Sequence, residues 1–411
     1  MPMRCFILLA LLCALLPCGC SSSPDLKPAD FSGHTPIVRV LILQGITSVE
    51  LTATRPPIVT TFSVPSPHRL DVAPATPVPL TLSPVGWRLG NVIVGTGEMQ
   101  IQPSGEGTVA FDRQSYRGRF RLVPTGPARF DVVNDVDVEG YLKGVLPREL
   151  KRFWNDQTYK AQAVVARTYA IYELKAASSA SHYDVFDDQR SQVYGGIGAE
   201  SAKARDAVDA TAGWVVASGP PGQERIFKAY FSSCCGGIGQ SAADAFGDPP
   251  SEPLSEQAVG TLCSESPHFS WGPVVVSKAD LTKRFRHFGA IRKRAEKDMA
   301  DVVRIDVAVN NKVGRPVRFV ATDAKGAHYF WTGEELRWAV NTDATDTTRL
   351  MSSLLQIDNS QPGIIRFTNG HGMGHGVGLC QWCAQRRAEL GMRYDAIVLS
   401  AFPNSKLIRA Y

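Results

Sequence analysis

The chain has 411 residues carrying 44 basic and 39 acidic side chains, a formal net charge of +5. That length allows two or three domains with ample room for a buried core. So mild a charge, with no dense basic run, argues against nucleic acid; it suits an anionic polymer no better than many other surfaces.

Met1 to Ser23 reads as a processing segment, with Arg4 as a short basic region before an apolar run from Phe6 to Leu16. That run is too short to span a bilayer comfortably. It ends in Leu16-Pro17-Cys18-Gly19-Cys20 and three serines, which resembles a lipoprotein junction although Pro17 stands where an aliphatic residue is usual. Residues 1–20 therefore read as a lipoprotein-type signal segment, cleaved before Cys20, which is expected to become the acylated N-terminus. The mature protein is expected to be exported to the cell envelope or periplasm, held at the membrane by lipid alone. Residues 21–35 are polar and Pro-containing, a tether. From 36 to 135 apolar residues alternate between Gly and Pro punctuation, predicting a small antiparallel β unit.

Residues 136–411 mix helical and strand patterns, so the fold class is α+β. Glu139, Tyr141 and Leu142 lead into Gly144-Val145-Leu146-Pro147, where a break is expected, and Arg148-Glu149 follow. Leu146, Leu150, Phe153 and Trp154 surround Glu149 in sequence. An acid in such company is a candidate for a raised pKa and general acid work, or else it is a helix-start glutamate. Asn155 or Asp156 can cap a helix with Ala161, Val164, Val165, Thr168, Tyr169 and Tyr172 on one face. Further helices are predicted over Ala199–Ala212, Lys278–Phe288 and Glu334–Val340. Strands are predicted at Trp214–Ala217, Phe227–Phe231, Val303–Val309 and Val317–Thr322. From Asn369 to Gly378 alternate glycines predict a tight loop leading into a helix from about Leu379. His371 and His375 lie four apart, but the Glu of a zincin is missing, which excludes that metalloprotease motif.

Several of these blocks together resemble the SpoIID/LytB family. They are Val138-Glu139-x-Tyr141-Leu142-x-Gly144-Val145-x-Pro147-x-Glu149, Lys160 to Ala170, Ser191 to Gly196, Cys235-Gly236-Gly237 and Gly370 to Trp382, in the family's order. The resemblance implies one of two activities. SpoIID-type members are peptidoglycan lytic transglycosylases, and LytB-type members enhance a cell-wall amidase. In the first case Glu149 matches the catalytic acid, no cofactor is required, and the sugar's C6 hydroxyl is the nucleophile, giving 1,6-anhydro-N-acetylmuramic acid ends. Glu139 fits a structural carboxylate. A plain hydrolase using Glu149 with a second carboxylate is a further alternative. Arg167 is read as orienting Glu149 or a substrate carbonyl, or as a structural ion-pair partner. Tyr169, Gln192, Tyr194, His375 and Gln381 are the remaining candidate substrate-binding residues, with Gln192 and Tyr194 offering donors and an aromatic face. The implied partners are glycan strands and, for the enhancer reading, an amidase.

Five cysteines remain after Cys20: Cys234, Cys235, Cys263, Cys380 and Cys383. In an exported protein disulfides are the first expectation; Cys235, Cys263, Cys380 and Cys383 as zinc ligands are the alternative. Some family members carry a different zinc site in the loop before Gln192, where this chain has Phe186 and Ser191 in place of cysteines.

Overall fold

The computed structural model describes residues 26–31, 33–63, 68–69 and 75–411. The leader and the acylation at Cys20 expected from the sequence fall on residues outside them. The fold is α+β, and among the described residues no helix is long and apolar enough to cross a membrane.

The β texture of the first third condenses into two antiparallel-rich sheets. In one, Ile37–Ile46 lies between Arg129–Asp137, antiparallel, and the short strand Val185–Phe186, parallel. Arg119–Gly126, Met99–Gln102, Ile58–Thr61 and His68–Arg69 continue it. The second sheet is centred on Ser48–Ala53 and Val109–Phe111. Strand periodicity explains the packing: Phe120 and Leu122 point inward while Arg119 and Arg121 point outward to share Asp135. The interior is filled by Trp87, Phe111, Phe120 and Phe130, with Trp87 edge-on to Phe130 at 5.0 Å.

Arg129–Asp137 is buried on both faces, because helix α1 (Val138–Glu149) follows it directly and folds back on the sheet. Asp137 caps α1 by accepting the Gly140 amide at 2.8 Å. The break expected at Gly144–Pro147 does not occur. The helix runs through Pro147, which falls in its last turn, and closes with the Leu150 amide on the Leu146 carbonyl at 2.9 Å. Glu149 therefore ends a helix rather than starting one.

Helix α2 (Asp156–Ala176) is capped by Asn155, whose Oδ1 accepts the Gln157 amide. It is not one-faced: every residue from Ala161 to Ile171 is buried. Ala163, Ala166 and Ala170 face the β unit and α1, whereas Ala161, Val164, Val165 and Tyr169 face a second core completed by Val377, Ile397 and Phe402. Small residues let α2 sit between the two.

Trp214–Ser218 pairs antiparallel with Ser405–Arg409. The strand expected at Phe227–Phe231 is split: Arg225–Ile226 pairs with Trp214–Ser218, and Phe231–Ser232 pairs in parallel with Leu379–Cys380. Residues 274–371 build a third core. Helix Lys278–Arg292 and helix Gly333–Asn341 pack around the meander Val302–Asn310, Pro316–Asp323 and His328–Thr332, with Phe285, Phe319, Trp331 and Phe367 inside. The helix predicted over Ala199–Ala212 is shorter, Ala202–Ala210, capped by Ser201.

The junction of these parts is an ion pair. Arg167, with no solvent exposure, donates to both carboxylate oxygens of Glu139, at 3.0 and 2.7 Å, and to the Trp214 carbonyl at 3.0 Å. Glu139 Oε1 also accepts from the Gly213 amide at 3.1 Å and the Tyr411 hydroxyl at 2.7 Å. Glu139→Gln would leave the Arg167 charge buried without its partner, and urea unfolding is expected to show a loss of about 3–5 kcal/mol. Tyr411→Phe, which leaves the pair intact, should cost about 1 kcal/mol.

Candidate functional site

Glu149 lies half-buried in a groove of about 2220 Å³, well above the roughly 300–1,000 Å³ of a small-molecule pocket. Asp112–Ser115 of the β unit, Asp187–Gly195, Lys228–Ser233 and Met373–His375 contribute to the walls. The unit at 274–371 adds Glu334, Arg337 and Trp338. Contributions from so many segments suit an extended ligand.

Close backbone approach makes the Glu149 end of the groove. A Cβ on Gly144 would meet the Tyr194 ring at 2.6 Å and the Gly196 carbonyl at 2.9 Å. Glycine there lets the 193–196 turn lie on α1, and the Gly195 amide donates to the Gly144 carbonyl at 3.1 Å. The turn thereby delivers the Val193 amide to Glu149 Oε1 at 3.1 Å, and Gln381 Nε2 reaches Oε2 at 3.4 Å. Burial raises the Glu149 pKa, and these two hydrogen bonds oppose the shift without reversing it. Its position at the C-terminal end of α1 acts in the same direction as burial, since the helix dipole there disfavours a negative charge. The fully buried Tyr141 hydroxyl, which has no hydrogen-bond partner among the described residues, is close enough to feel the Glu149 charge.

The other sequence candidates divide. Tyr169 and Gln381 line the groove with Glu149, and the Tyr169 hydroxyl bonds Ser191. His375 also lines it. Its Nδ1 accepts the Val377 amide at 3.0 Å, placing the ring proton on Nε2, and burial lowers its pKa to about 4, so it is a neutral ring packed on Tyr230 and Phe246. Arg167 does not line the groove; Glu139 and the Trp214 carbonyl take its donors. Gln192 has no exposure and donates to the Ala166 carbonyl at 3.4 Å, holding the loop on α2. Tyr194 borders the groove but is only 3% exposed. Its hydroxyl donates to Asn134 Oδ1 at 3.1 Å and its ring lies between Tyr116 and Tyr141, so it supports the turn rather than offering a free aromatic face.

Asp187 is a groove residue that sequence reasoning missed. Burial, with Asp188 beside it, pushes its pKa up to about 6. The signal available was an acid pair just upstream of Gln192-Val193-Tyr194.

In the loop before Gln192, His182 pairs with Asp131 at 2.8 Å, Phe186 lies under the Arg190 guanidinium at 3.7 Å, and Ser191 Oγ accepts the Phe186 amide. This loop offers no cysteine for the zinc site of some family members, and its Phe186 and Ser191 are engaged in these local contacts. The structure joins none of Cys234, Cys235, Cys263, Cys380 and Cys383 in a disulfide.

The glycine loop behaves as its composition predicts: Gly372, Gly374, Gly376 and Gly378 all have positive φ, and a Cβ on Gly378 would strike the Tyr230 carbonyl at 2.2 Å. Helix Gln381–Glu389 follows, and its first-turn amide at Cys383 is taken by the Cys380 side chain rather than left for a ligand.

With this geometry in hand, sequence comparison identifies relatives. Residues 127–217, which include α1 and α2, match the family model described as stage II sporulation protein, SpoIID. An uncharacterized protein of Brachyspira hyodysenteriae is 30% identical over 284 residues, 69% of each chain. The amidase enhancer of Bacillus subtilis is 25% identical over 297 residues, 65% of this chain but only 40% of that protein.

The raised Glu149 pKa has a consequence for stability. A carboxyl that binds its proton more tightly folded than unfolded supports the fold fully below the unfolded pKa, about 4.3. It loses that contribution as pH rises through the folded value. Glu149→Gln removes the pH-dependent loss. Thermal unfolding should find the variant more stable than wild type at pH 7, with the gap narrowing toward pH 4. A gap that widens on acidification would contradict the shift.

Proposed function

Because the chain belongs to the SpoIID/LytB family, we propose that it cleaves peptidoglycan glycan strands as a lytic transglycosylase, with Glu149 as the acid and base. The observation that carries this reading is the Glu149 carboxyl, its proton affinity raised by burial, facing a groove large enough for a polymer. A protonated Glu149 would donate to the glycosidic oxygen as the bond to C1 of N-acetylmuramic acid breaks. The resulting carboxylate would then take the proton from the C6 hydroxyl as that oxygen closes on C1. The Val193 amide and Gln381 are placed to steady the carboxylate between the two steps. One acid suffices, and no water is consumed. We propose further that the protein works outside the cytoplasm, anchored by lipid on Cys20.

Two observations support other outcomes. The relative named amidase enhancer favours a non-catalytic role in which the groove binds glycan and a cell-wall amidase is activated. Asp187, with a pKa near 6 in the same groove, would supply the second carboxyl of a hydrolase.

Product analysis on denuded and peptide-bearing glycan separates the three. Transglycosylation releases 1,6-anhydro-N-acetylmuramic acid ends, and Glu149→Gln, which keeps shape but cannot donate the proton, should lower the rate at least ~10²–10⁴-fold. Asp187→Asn should then retain activity. Reducing ends lost in Asp187→Asn would establish hydrolysis instead. Absence of cleavage by wild type, with an added amidase accelerated, would establish the enhancer role. Mass spectrometry of the native N-terminus checks the anchor: diacylated or triacylated Cys20 is expected, and an unmodified terminus elsewhere would refute it.

A further inference from the structure

Away from the groove, four sulfurs from three distant parts of the chain meet at one point. Cys235, Cys263, Cys380 and Cys383 place their Sγ atoms all within 4.8 Å of one another, each at most 7% exposed. Cys235 Sγ stands 3.7 Å from Cys263 and 3.9 Å from Cys383. A tetrahedron of thiolates around zinc, with Zn–S about 2.3 Å, has edges of about 3.8 Å. A disulfide would instead need a pair at about 2.05 Å, and the arrangement singles out no pair, since Cys235 is almost equidistant from two partners.

We propose that these four cysteines bind one zinc ion in a closed, structural tetrathiolate site. Its surroundings suit thiolates. The Cys235 and Cys383 amides each donate to Cys380 Sγ at 3.4 Å, the outer hydrogen bonds by which proteins stabilise metal-bound sulfur. Val259, Leu262, Phe269 and Trp382 pack around the cluster and keep water out. Four thiolates on a divalent ion leave a net charge of −2. A matching cation is built in: Arg315 is fully buried and donates to the Cys235 carbonyl at 3.3 Å and the Ile238 carbonyl at 2.8 Å. Arg387 borders the same small cavity as Cys235, Cys380 and Cys383. The buried Glu334 carboxylate is the larger countercharge to Arg315 and the Cys235 side adds to it, so an anionic cluster there is favourable to a guanidinium cut off from water.

The site has structural work to do. Between Ser232 and Ser270 regular structure is sparse: the short helical pieces Ala242–Phe246 and Glu252–Leu254 and isolated bridges at Cys234 and Ile238. Zinc would fasten both ends of that stretch to the start of helix Gln381–Glu389. Cys380 precedes Gln381, the residue that touches Glu149, so the same ion fixes one wall of the groove.

Full-length protein purified without chelator should contain one zinc per chain, and X-ray absorption at the zinc edge should show four sulfur neighbours at about 2.3 Å. Cys263→Ser and Cys383→Ser should each lose the bound zinc, while Cys234→Ser, which changes the fifth thiol, should keep it. If the ligand variants fail to fold, the absorption spectrum of wild type still decides. Five free thiols with no metal, disulfide-linked peptides joining any of the four, nitrogen or oxygen in the first shell, or iron in place of zinc would each overturn the proposal.

Discussion

A guanidinium with no access to water can persist in a fold only if it is neutralised and its donors are used. Arg167 meets that demand by drawing four segments to one place. Glu139 brings α1, Trp214 brings the strand that follows Ala202–Ala210, and Tyr411 brings the segment after Ser405–Arg409. None of these contacts is local in sequence. With α1, α2 and the Trp214–Ser218 strand held in mutual register, the end of α1 is held too, and with it Glu149. The pair is thus remote from the groove yet determines where its acid points.

The second layer of this construction is steric. α1 carries a glycine at 144 where the 193–196 turn must touch it, and the turn answers with Gly195 and Gly196. Tyr194 completes the fit from inside, its hydroxyl on Asn134 of the strand that feeds α1. A side chain that looked like a sugar platform is therefore a spacer that sets the height of the Val193 amide over Glu149. Burial raises the proton affinity of the acid, and the two hydrogen bonds that temper it come from residues 44 and 232 positions away, which gather only when the whole fold is complete.

What the sequence made legible was whatever is encoded within a few residues. The helices at 278–292 and 333–341 and the strands at 302–310 and 316–323 followed from periodicity, and the glycine loop from composition. Pro147 misled, because a proline reads as a break while the helix could absorb it in its last turn. α2 showed one apolar face, yet its alanines hide a second buried one that hydropathy spacing scarcely marks. Gln192 and Arg167 failed as groove residues for a general reason: the polar types that bind sugars are also those that satisfy buried backbone groups, and only the structure reveals which partner each has. The four cysteines of the cluster were named from the sequence as the alternative to disulfides; Cys380-x-x-Cys383 is a local pattern, but the approach of Cys235 and Cys263 to it depends on folding across some 150 residues.

The unfavourable setting of Glu149 also bears on how relatives can be read. A carboxylate at the wrong end of a helix, buried and answered by only two hydrogen bonds, is a burden on the fold that an uncharged residue of similar size would lift. In a lineage that kept this architecture but gave up proton transfer, mutation would have no reason to preserve the acid and some reason to discard it. Under the proposed proton transfer, a relative with a neutral residue at this one place would keep a groove that binds glycan without cleaving it.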